Sequence, residues 1–223
     1  MLSLVLVPYQ LLAVDGASRT AEAIENAKDL LRVEQQSGIA VEAWLFRATA
    51  AHPPLMTLAL QYYDVMHFLV PAVATLMLAL RAPASWAPIR TAFVVCSLTG
   101  LAVFWLYPVA PPNLVPDAGF TGAATSNPAY PFGAMPSLHV AWALWAAAAV
   151  AAATSGPMRV AAVTLGGLHA ALTVLVVLAT AHHWVVDVFG GVAAIGIGAA
   201  AAAAPGLRRR THGERAPVRR PGR

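Results

Sequence analysis

Three histidines stand in two short segments, each of which adjoins a long apolar stretch. His139 follows the residues Met-Pro-Ser-Leu, and the pair His182-His183 is followed by Trp-Val-Val and then by Asp187. His183 and Asp187 are four residues apart, so they share one face of a helix. A carboxylate one turn from an imidazole accepts its N–H, fixes its tautomer and raises the basicity of the other nitrogen. This spacing is typical of the orienting half of a catalytic triad.

Three interpretations of these residues are open. In the first, His183 and Asp187 only satisfy each other within a helix bundle, and His139 caps a helix. In the second, the histidines and the aspartate bind zinc, although the chain offers no second carboxylate beside them and no H-E-x-x-H helix. In the third, one imidazole attacks phosphorus and another donates a proton to the leaving oxygen.

The residues around the histidines favour the third interpretation. Ser137 suits a helix N-cap and Pro136 a first turn, so one helix should open beside His139 and another near Trp184. The first turn of a helix has free N–H groups and the positive end of the dipole, and both bind anions. Two such turns on one face are expected to form a cradle for phosphate.

The composition places these residues in a membrane protein. Hydrophobic residues make up 59% of the 223 residues, charged residues make up 11%, and the mean hydropathy is +0.66. In soluble domains, hydrophobic residues make up roughly 45–50% and charged residues roughly 25%. The same composition excludes a disordered chain, collagen and a coiled coil. The lone cysteine, Cys96, excludes a disulfide scaffold and a cysteine-ligated metal site.

Five segments are apolar over roughly the 17–25 residues that a membrane-spanning helix needs. They are Leu55–Leu80, Thr91–Tyr107, Leu138–Thr154, Val160–Ala181 and Trp184–Ala204. Leu2–Val14 is too short to span alone, and we interpret it as the remnant of a first helix. A signal peptide is disfavoured because no basic region precedes it. We therefore predict an all-α, polytopic six-helix transmembrane bundle, in which residues 55–206 supply five spans and Leu2–Val14 the first, with five crossings as the alternative.

The two ends of the chain differ from this bundle. Residues 1–54 hold Leu2–Val14 and then a charged region whose apolar residues recur at helical spacing on both sides of Gly38. This pattern predicts two amphipathic helices at the membrane interface or packed on the bundle, with a regulatory partner-binding helix as the alternative. Residues 207–223 hold seven of the fourteen basic residues. They predict a disordered cytoplasmic tail rather than a nucleic-acid-binding segment, since basic residues mark the cytoplasmic side of a span.

Counting back from a cytoplasmic tail gives the orientation of the site. The short links that contain Arg81, Arg90 and Arg159 then lie inside, as the positive-inside rule requires. The region 15–54 and both histidine segments lie outside. We predict a multi-pass protein of the plasma membrane with its site on the extracytoplasmic side.

Two motifs together resemble a known family. Met135-Pro136-Ser137-Leu138-His139 and His182-His183-Trp184-Val185-Val186-Asp187-Val188-Phe189-Gly190-Gly191 are similar to the histidine motifs of the type 2 phosphatidic acid phosphatase superfamily. With the proline-rich Pro108–Pro116 stretch, the resemblance covers roughly Tyr62 to Gly191. It is closest to the branch of inositol phosphorylceramide synthase. It implies a six-helix bundle, metal-independent chemistry without a cofactor and a phosphohistidine intermediate.

The resemblance implies catalytic roles by position. His183 would be the nucleophile, Asp187 its orienting carboxylate and His139 the general acid. The chain departs from the lipid phosphatases, because Val176-Val177 stand in place of Ser-Arg and Asn113 in place of an arginine found in many relatives. This departure favours an inositolphosphotransferase-like enzyme over a plain phosphatase.

Without those arginines, phosphate would be held by helix N-termini, Ser137, His182 or Asn113. The expected partners are a membrane lipid as phosphate donor and water or a hydroxyl compound as acceptor. A transporter or scramblase with a histidine proton relay is one rival, disfavoured because the sequence has no internal repeat. A catalytically inactive relative is another.

Two further features remain outside the motifs. The loop Pro108–Pro136 contacts the predicted site at both ends, and we expect it to form a lid or an acceptor-binding wall. Asp64 and His67 lie one turn apart within a predicted span. They are expected to form a mutually satisfied buried pair, with a role at the lipid entrance as the alternative.

Overall fold

The computed structural model describes residues 16–116, 118–120 and 131–204, and its regular elements there are helices apart from one isolated bridge between Val109 and Gly133. The helices are α1 (Thr20–Ser37), α2 (Glu42–Ala50), α3 (Pro53–Arg81), α4 (Trp86–Leu106), α5 (Leu138–Ala152), α6 (Gly156–Ala179) and α7 (Val185–Ala203). Short 3₁₀ turns occur at Gly16–Arg19, Pro83–Ser85 and Pro112–Leu114. The predicted Leu2–Val14 segment and the tail 207–223 lie outside the described residues.

Four helices of the described part are long and apolar enough to cross a membrane, namely α3, α4 with its preceding turn, α6 and α7. The all-α membrane fold is therefore confirmed. The fifth predicted span, Leu138–Thr154, forms the 15-residue helix α5. At 1.5 Å per residue it is roughly 22 Å long, shorter than the ~30 Å hydrocarbon core. The predicted count of six spanning helices is thus not confirmed.

Helix α5 lies at the centre of the bundle. It packs against α3, α4, α6 and α7, and its buried side chains include Trp142 and Trp145. Close packing between α4 and α7 depends on Gly198, because a Cβ atom there would lie 2.3 Å from the carbonyl oxygen of Ala92. Small residues at such crossings let helix backbones approach each other within a membrane. Helix α5 carries His139 in its first turn and so places this residue within the helix bundle.

The predicted amphipathic helices are present and pack on the bundle. They correspond to α1 and α2, and Gly38 separates them with a left-handed φ of 70°. Ala23 and Ala27 of α1 are fully buried, and the Phe46 ring of α2 packs edge-on against Phe120. The prediction of a break at Gly38 is therefore confirmed. Glycine adopts this conformation without the steric cost that a Cβ atom adds.

Helix α1 also fastens the proline-rich stretch that follows α4. The backbone N–H of Ala110 donates to the carbonyl of Ala23 at 3.0 Å, and the Asn26 amide donates to the carbonyl of Pro108 at 2.9 Å. Residues 108–112 are buried. The described part of the predicted lid is thus held between α1 and the bundle, while residues 121–130 lie outside the description.

Candidate active site

The two catalytic histidines predicted from the motifs are in direct contact. His139 lies in the first turn of α5, and His183 lies in the short segment between α6 and α7. The Nε2 atom of His183 is 3.2 Å from the Nδ1 atom of His139, and the two rings meet edge to face. His183 is 3% exposed. The fold therefore joins the two sequence motifs at one point.

The other ring nitrogen of His183 has two acceptors. Its Nδ1 atom lies 2.9 Å from the carbonyl oxygen of Ala134 and 3.3 Å from Oδ2 of Asp187. A carbonyl oxygen can only accept, so Nδ1 must carry the hydrogen. In the neutral ring, Nε2 then holds the lone pair. Nδ1 is thus placed between Asp187 and a main-chain carbonyl that the motif does not reveal.

Asp187 ties the start of α7 to the start of α5. Its Oδ2 atom accepts the backbone N–H of Trp184 at 2.8 Å, and its carbonyl accepts the backbone N–H of Ser137 at 2.9 Å. A Cβ atom at Gly191 would lie 2.4 Å from the Ser137 carbonyl oxygen. Only glycine at this position lets the two helix starts come together, so Gly191 belongs to the architecture of the site.

Aromatic rings of α3 pack against the histidines. Tyr63 stacks on His139 and His182 with centroid distances of 4.3 and 4.2 Å. His67 lies 3.9 Å from the His139 ring and stacks on Trp142 at 4.6 Å. Tyr63 was not singled out by the sequence, although its spacing of four residues from His67 places both on one helix face. Tyr63 and His67 thus both restrict the orientation of the His139 imidazole.

The predicted pair of Asp64 and His67 is wrong. Asp64 is exposed, whereas His67 turns inward to the aromatic stack, and its Nδ1 atom has no hydrogen-bond partner in the described part of the chain. A carboxylate is costly to bury without a donor, while an imidazole ring gains from stacking. The two side chains therefore leave α3 in different directions.

A narrow cleft opens between α3, α5 and α6 beside His139. Its wall includes His67 and Trp142. It also includes three hydrogen-bonded side chains, in which the Tyr62 hydroxyl lies 2.6 Å from Nδ1 of His169 and 3.1 Å from the Thr173 hydroxyl. The remaining lining is mainly apolar. Such a mixture of apolar walls and few polar groups is typical of small-molecule and lipid sites.

The family comparison agrees with this geometry. Residues 28–201 match the family model of the PAP2 superfamily. The chain belongs to the PAP2 superfamily. No curated protein and no solved structure gives a significant match. Members of the superfamily are generally metal-independent phosphatases, and membership suggests phosphatase or phosphotransferase action on lipid-like substrates.

The PAP2 match confirms the superfamily predicted from the two motifs, and it places both motifs within the matched range. The inositol phosphorylceramide synthase-like branch stays a prediction. Within the described residues, no group of three or more His, Cys, Asp or Glu side chains is placed to hold a metal ion.

The predicted phosphate-binding residues of this PAP2 protein surround the histidines. The Ser137 hydroxyl caps α5 by accepting the Val140 N–H at 3.4 Å, so its predicted N-cap position is confirmed. The Asn113 backbone N–H donates to the carbonyl of Ala181 at 3.0 Å. His182 is buried, and its Nδ1 atom lies 2.9 Å from the Thr180 hydroxyl. Burial, with a smaller contribution from the nearby His183, lowers the pKa of His182 to about 4, so this ring stays neutral at neutral pH.

Of the two helix N-termini expected to form a phosphate cradle, that of α7 is partly engaged within the protein. The backbone N–H of Val186, in the first turn of α7, donates to Oε1 of Glu34 at 2.7 Å. The N–H of Trp184 is bonded to Asp187. Both groups are therefore already engaged by carboxyl groups of the protein. Glu34 lies 152 positions away along the chain, and no local motif signals that it reaches this helix.

Proposed function

We propose that the protein is a membrane phosphotransferase or phosphatase that takes a phosphate or phospho-headgroup from a lipid onto Nε2 of His183. The observation that carries this proposal is the position of that atom. It faces His139 at 3.2 Å, while Nδ1 of the same ring is held by Ala134 and Asp187. The two acceptors thus orient the His183 ring from one side, and the proposed acid, His139, lies on the other side next to the nucleophilic atom. Nucleophilic catalysis requires such an arrangement.

The proposed reaction has two steps. In the first, the Nε2 lone pair of His183 attacks phosphorus and the bond from phosphorus to the lipid oxygen breaks. The imidazolium form of His139 gives its Nδ1 proton to that leaving oxygen and becomes neutral. In the second, neutral His139 takes a proton from water or a hydroxyl acceptor. The acceptor oxygen then attacks phosphorus, and the P–N bond breaks with its electrons returning to His183.

Substrate binding must separate the two rings. A phosphoryl group does not fit between nitrogen atoms 3.2 Å apart. His139 is part of α5 and stacks on Tyr63 and His67 of α3, so movement of α3 away from α5 would leave room for this ring to turn away from His183. The cleft beside His139 lies on the same side, between α3, α5 and α6. We assign it to the lipid substrate.

The distribution of cations favours a phosphodiester donor. The sequence has no lysine or arginine between Arg90 and Arg159, the stretch that includes the proline-rich loop and the first histidine. On α1 and the turn before it, Arg19, Lys28 and Arg32 each pair with an acidic residue three positions away, and Arg47 of α2 lies beside Gly119 of the loop. A phosphomonoester carries about −1.5 to −2 charges at neutral pH. A phosphodiester carries one negative charge and needs less compensation, in keeping with an inositolphosphotransferase-like reaction.

The orientation follows from the charge of the links. Arg81 and Arg159 flank α3 and α6 at the ends opposite the histidine site. Under the positive-inside rule these ends are cytoplasmic. The site would then act on lipids of the extracytoplasmic leaflet of the plasma membrane.

Purified protein in detergent micelles tests the proposal with two labelled donors, phosphatidic acid and phosphatidylinositol, each with and without a lipid alcohol as acceptor. We expect product from the wild type, none from His183→Ala, and little effect of EDTA. We expect phosphatidylinositol to be the better donor. Strong inhibition by EDTA that zinc reverses would contradict the phosphohistidine route. Turnover by His183→Ala would contradict the choice of nucleophile.

A further inference from the structure

A buried carboxyl group of α1 lies behind the catalytic helix. Glu34 has no solvent exposure, and its Oε1 atom accepts the backbone N–H of Val186 at 2.7 Å. Val186 precedes Asp187 in the first turn of α7. Acceptors at this turn are favoured because the N–H groups there lack partners within the helix and carry the positive end of the dipole. Glu34 therefore completes the N-terminus of α7 from another element.

A second buried carboxyl group stands against the first. Glu42 is 1% exposed, and the reversal of the chain at Gly38 brings it from the start of α2 to the end of α1. Oε2 of Glu34 and both carboxyl oxygens of Glu42 have no hydrogen-bond donor in the described part of the chain. Two carboxyl groups in contact can bond to each other only through a proton. Burial, together with this contact, raises the pKa of Glu34 well above its ordinary value.

We propose that Glu34 is a positioning residue, which holds the first turn of α7 through Val186 and thereby fixes Asp187 against His183. The connection has few steps. The Val186 N–H adjoins Asp187 in the chain, and the Asp187 carboxylate reaches both the Trp184 N–H and Nδ1 of His183. A shift of this turn alters the distance from Asp187 to His183 directly.

Burial of two carboxyl groups would be unexpected if this contact only filled space. Apolar side chains of similar volume usually stabilise a buried site at least as well as ionisable ones. Glu34 is also electrostatically coupled to Asp187, because the charge of Asp187 contributes to the raised pKa of Glu34. Through this contact α1, which also holds the proline-rich stretch, is connected to the catalytic carboxylate.

The inference rests on the proposed function for its turnover readout, so a second readout is independent of activity. The variants are Glu34→Ala, Glu34→Gln and the matched control Gln35→Ala, at the exposed neighbouring position. Steady-state kinetics give kcat and KM. Hydrogen–deuterium exchange of the peptide that covers residues 184–190 reports how firmly the first turn of α7 is held.

Glu34→Ala should lower kcat by roughly 10- to 100-fold with little change in KM, because a small displacement of a catalytic group costs rate rather than affinity. It should also speed exchange at 184–190. Glu34→Gln should retain near-normal kcat and exchange, because its amide oxygen accepts from Val186 and its amide N–H donates to Glu42. Gln35→Ala should behave as the wild type.

Several results would overturn the inference. They are a normal kcat in Glu34→Ala, a change confined to KM, and a Glu34→Gln variant as impaired as Glu34→Ala. If the wild type itself transfers no phosphate, the proposed function fails and exchange decides alone. Faster exchange in Glu34→Ala but not in Gln35→Ala then supports the contact, and unchanged exchange rejects it.

Discussion

The Nε2 atom of His183 and the Nδ1 atom of His139 lie 3.2 Å apart, although 44 positions separate the two residues in the chain. Because Nδ1 of His183 bonds to a carbonyl oxygen, the facing Nε2 atom is the acceptor of the pair and His139 is the donor. The same direction of proton transfer is needed when a lipid oxygen leaves phosphorus. The resting contact thus has the polarity that the proposed first step uses.

The proposed role of His139 as an acid predicts a dependence on the leaving group. The alkoxide of a lipid alcohol is a poor leaving group without a proton, whereas p-nitrophenolate is stable as an anion. General acid catalysis contributes roughly 10²- to 10⁴-fold. His139→Ala should therefore impair hydrolysis of phosphatidic acid far more than that of p-nitrophenyl phosphate. His183→Ala should impair both equally. An equal loss with both substrates in His139→Ala would assign His139 to phosphate binding instead.

Asp187 has two separable proposed roles, and two substitutions distinguish them. Asparagine retains an oxygen that accepts from the Trp184 N–H, but it removes the charge beside the His183 imidazole. Asp187→Asn should fold normally and lose roughly 10²- to 10⁴-fold in kcat. Asp187→Ala should also melt at a lower temperature, because it leaves the Trp184 N–H without its acceptor. Near-normal turnover in Asp187→Asn would show that Ala134 alone orients the imidazole.

Two glycines of α7 provide a matched test of the close approach at the site. Gly191→Ala would place its Cβ atom 2.4 Å from the Ser137 carbonyl oxygen, whereas a Cβ atom at Gly196 meets nothing within 4 Å. Overpacking costs about 1–3 kcal/mol. Gly191→Ala should thus lower both the melting temperature in detergent and kcat. Gly196→Ala should be neutral or up to ~1 kcal/mol more stable, since alanine favours helix. Equal behaviour of the two variants would contradict this account.

Patterns that act over one or two helical turns were predictable from the sequence. The apolar segments predicted the helices of the bundle. Gly38 predicted the break between α1 and α2, and Ser137 predicted the N-cap of α5. His183 contacts Asp187 as predicted, but His183 lies before the start of α7 and does not share a helix face with Asp187. Local hydrogen bonding and hydrophobic periodicity are encoded within short windows, so they require no knowledge of the tertiary fold.

Contacts between distant elements were not predictable in the same way. His183 donates to the backbone carbonyl of Ala134. Every residue has such a carbonyl, so the residue type does not indicate which one will be the acceptor. Glu34 lies on an amphipathic helix where acidic residues are common, and its burial depends on where α1 packs. Asp64 was wrongly paired because spacing alone does not say which side chain turns inward. Each of these contacts is a consequence of tertiary packing.

The carboxyl pair predicts a pH dependence of stability. Burial, with the Glu42 contact, raises the pKa of Glu34 from 4.5 to about 9. The protonated group therefore contributes stability fully below about pH 4.5, and this contribution is lost as the pH rises towards 9. The wild type should lose melting temperature relative to Glu34→Gln over this window, because glutamine does not ionise. A difference between the two proteins that stays constant with pH would contradict the raised pKa.

Labelling in intact cells tests the orientation of the site. Pro116 lies in the proline-rich stretch near the histidines, and Ser155 lies in the link between α5 and α6, and both are exposed. The native Cys96 is buried. Pro116→Cys should react with an impermeant thiol reagent added outside, whereas Ser155→Cys should react only after the cells are opened. The reverse result would place the site at the cytoplasmic face.

Trapping of the covalent intermediate tests the central claim most directly. The wild type is mixed with a lipid donor that carries radioactive phosphorus, quenched in base to preserve phosphohistidine, and digested for peptide mapping. The account predicts acid-labile label on the peptide that contains His183, lost on addition of the acceptor and absent from His183→Ala. Label that persists in His183→Ala, or turnover by the wild type with no protein-bound phosphorus at any time during rapid quenching, would contradict transfer through His183.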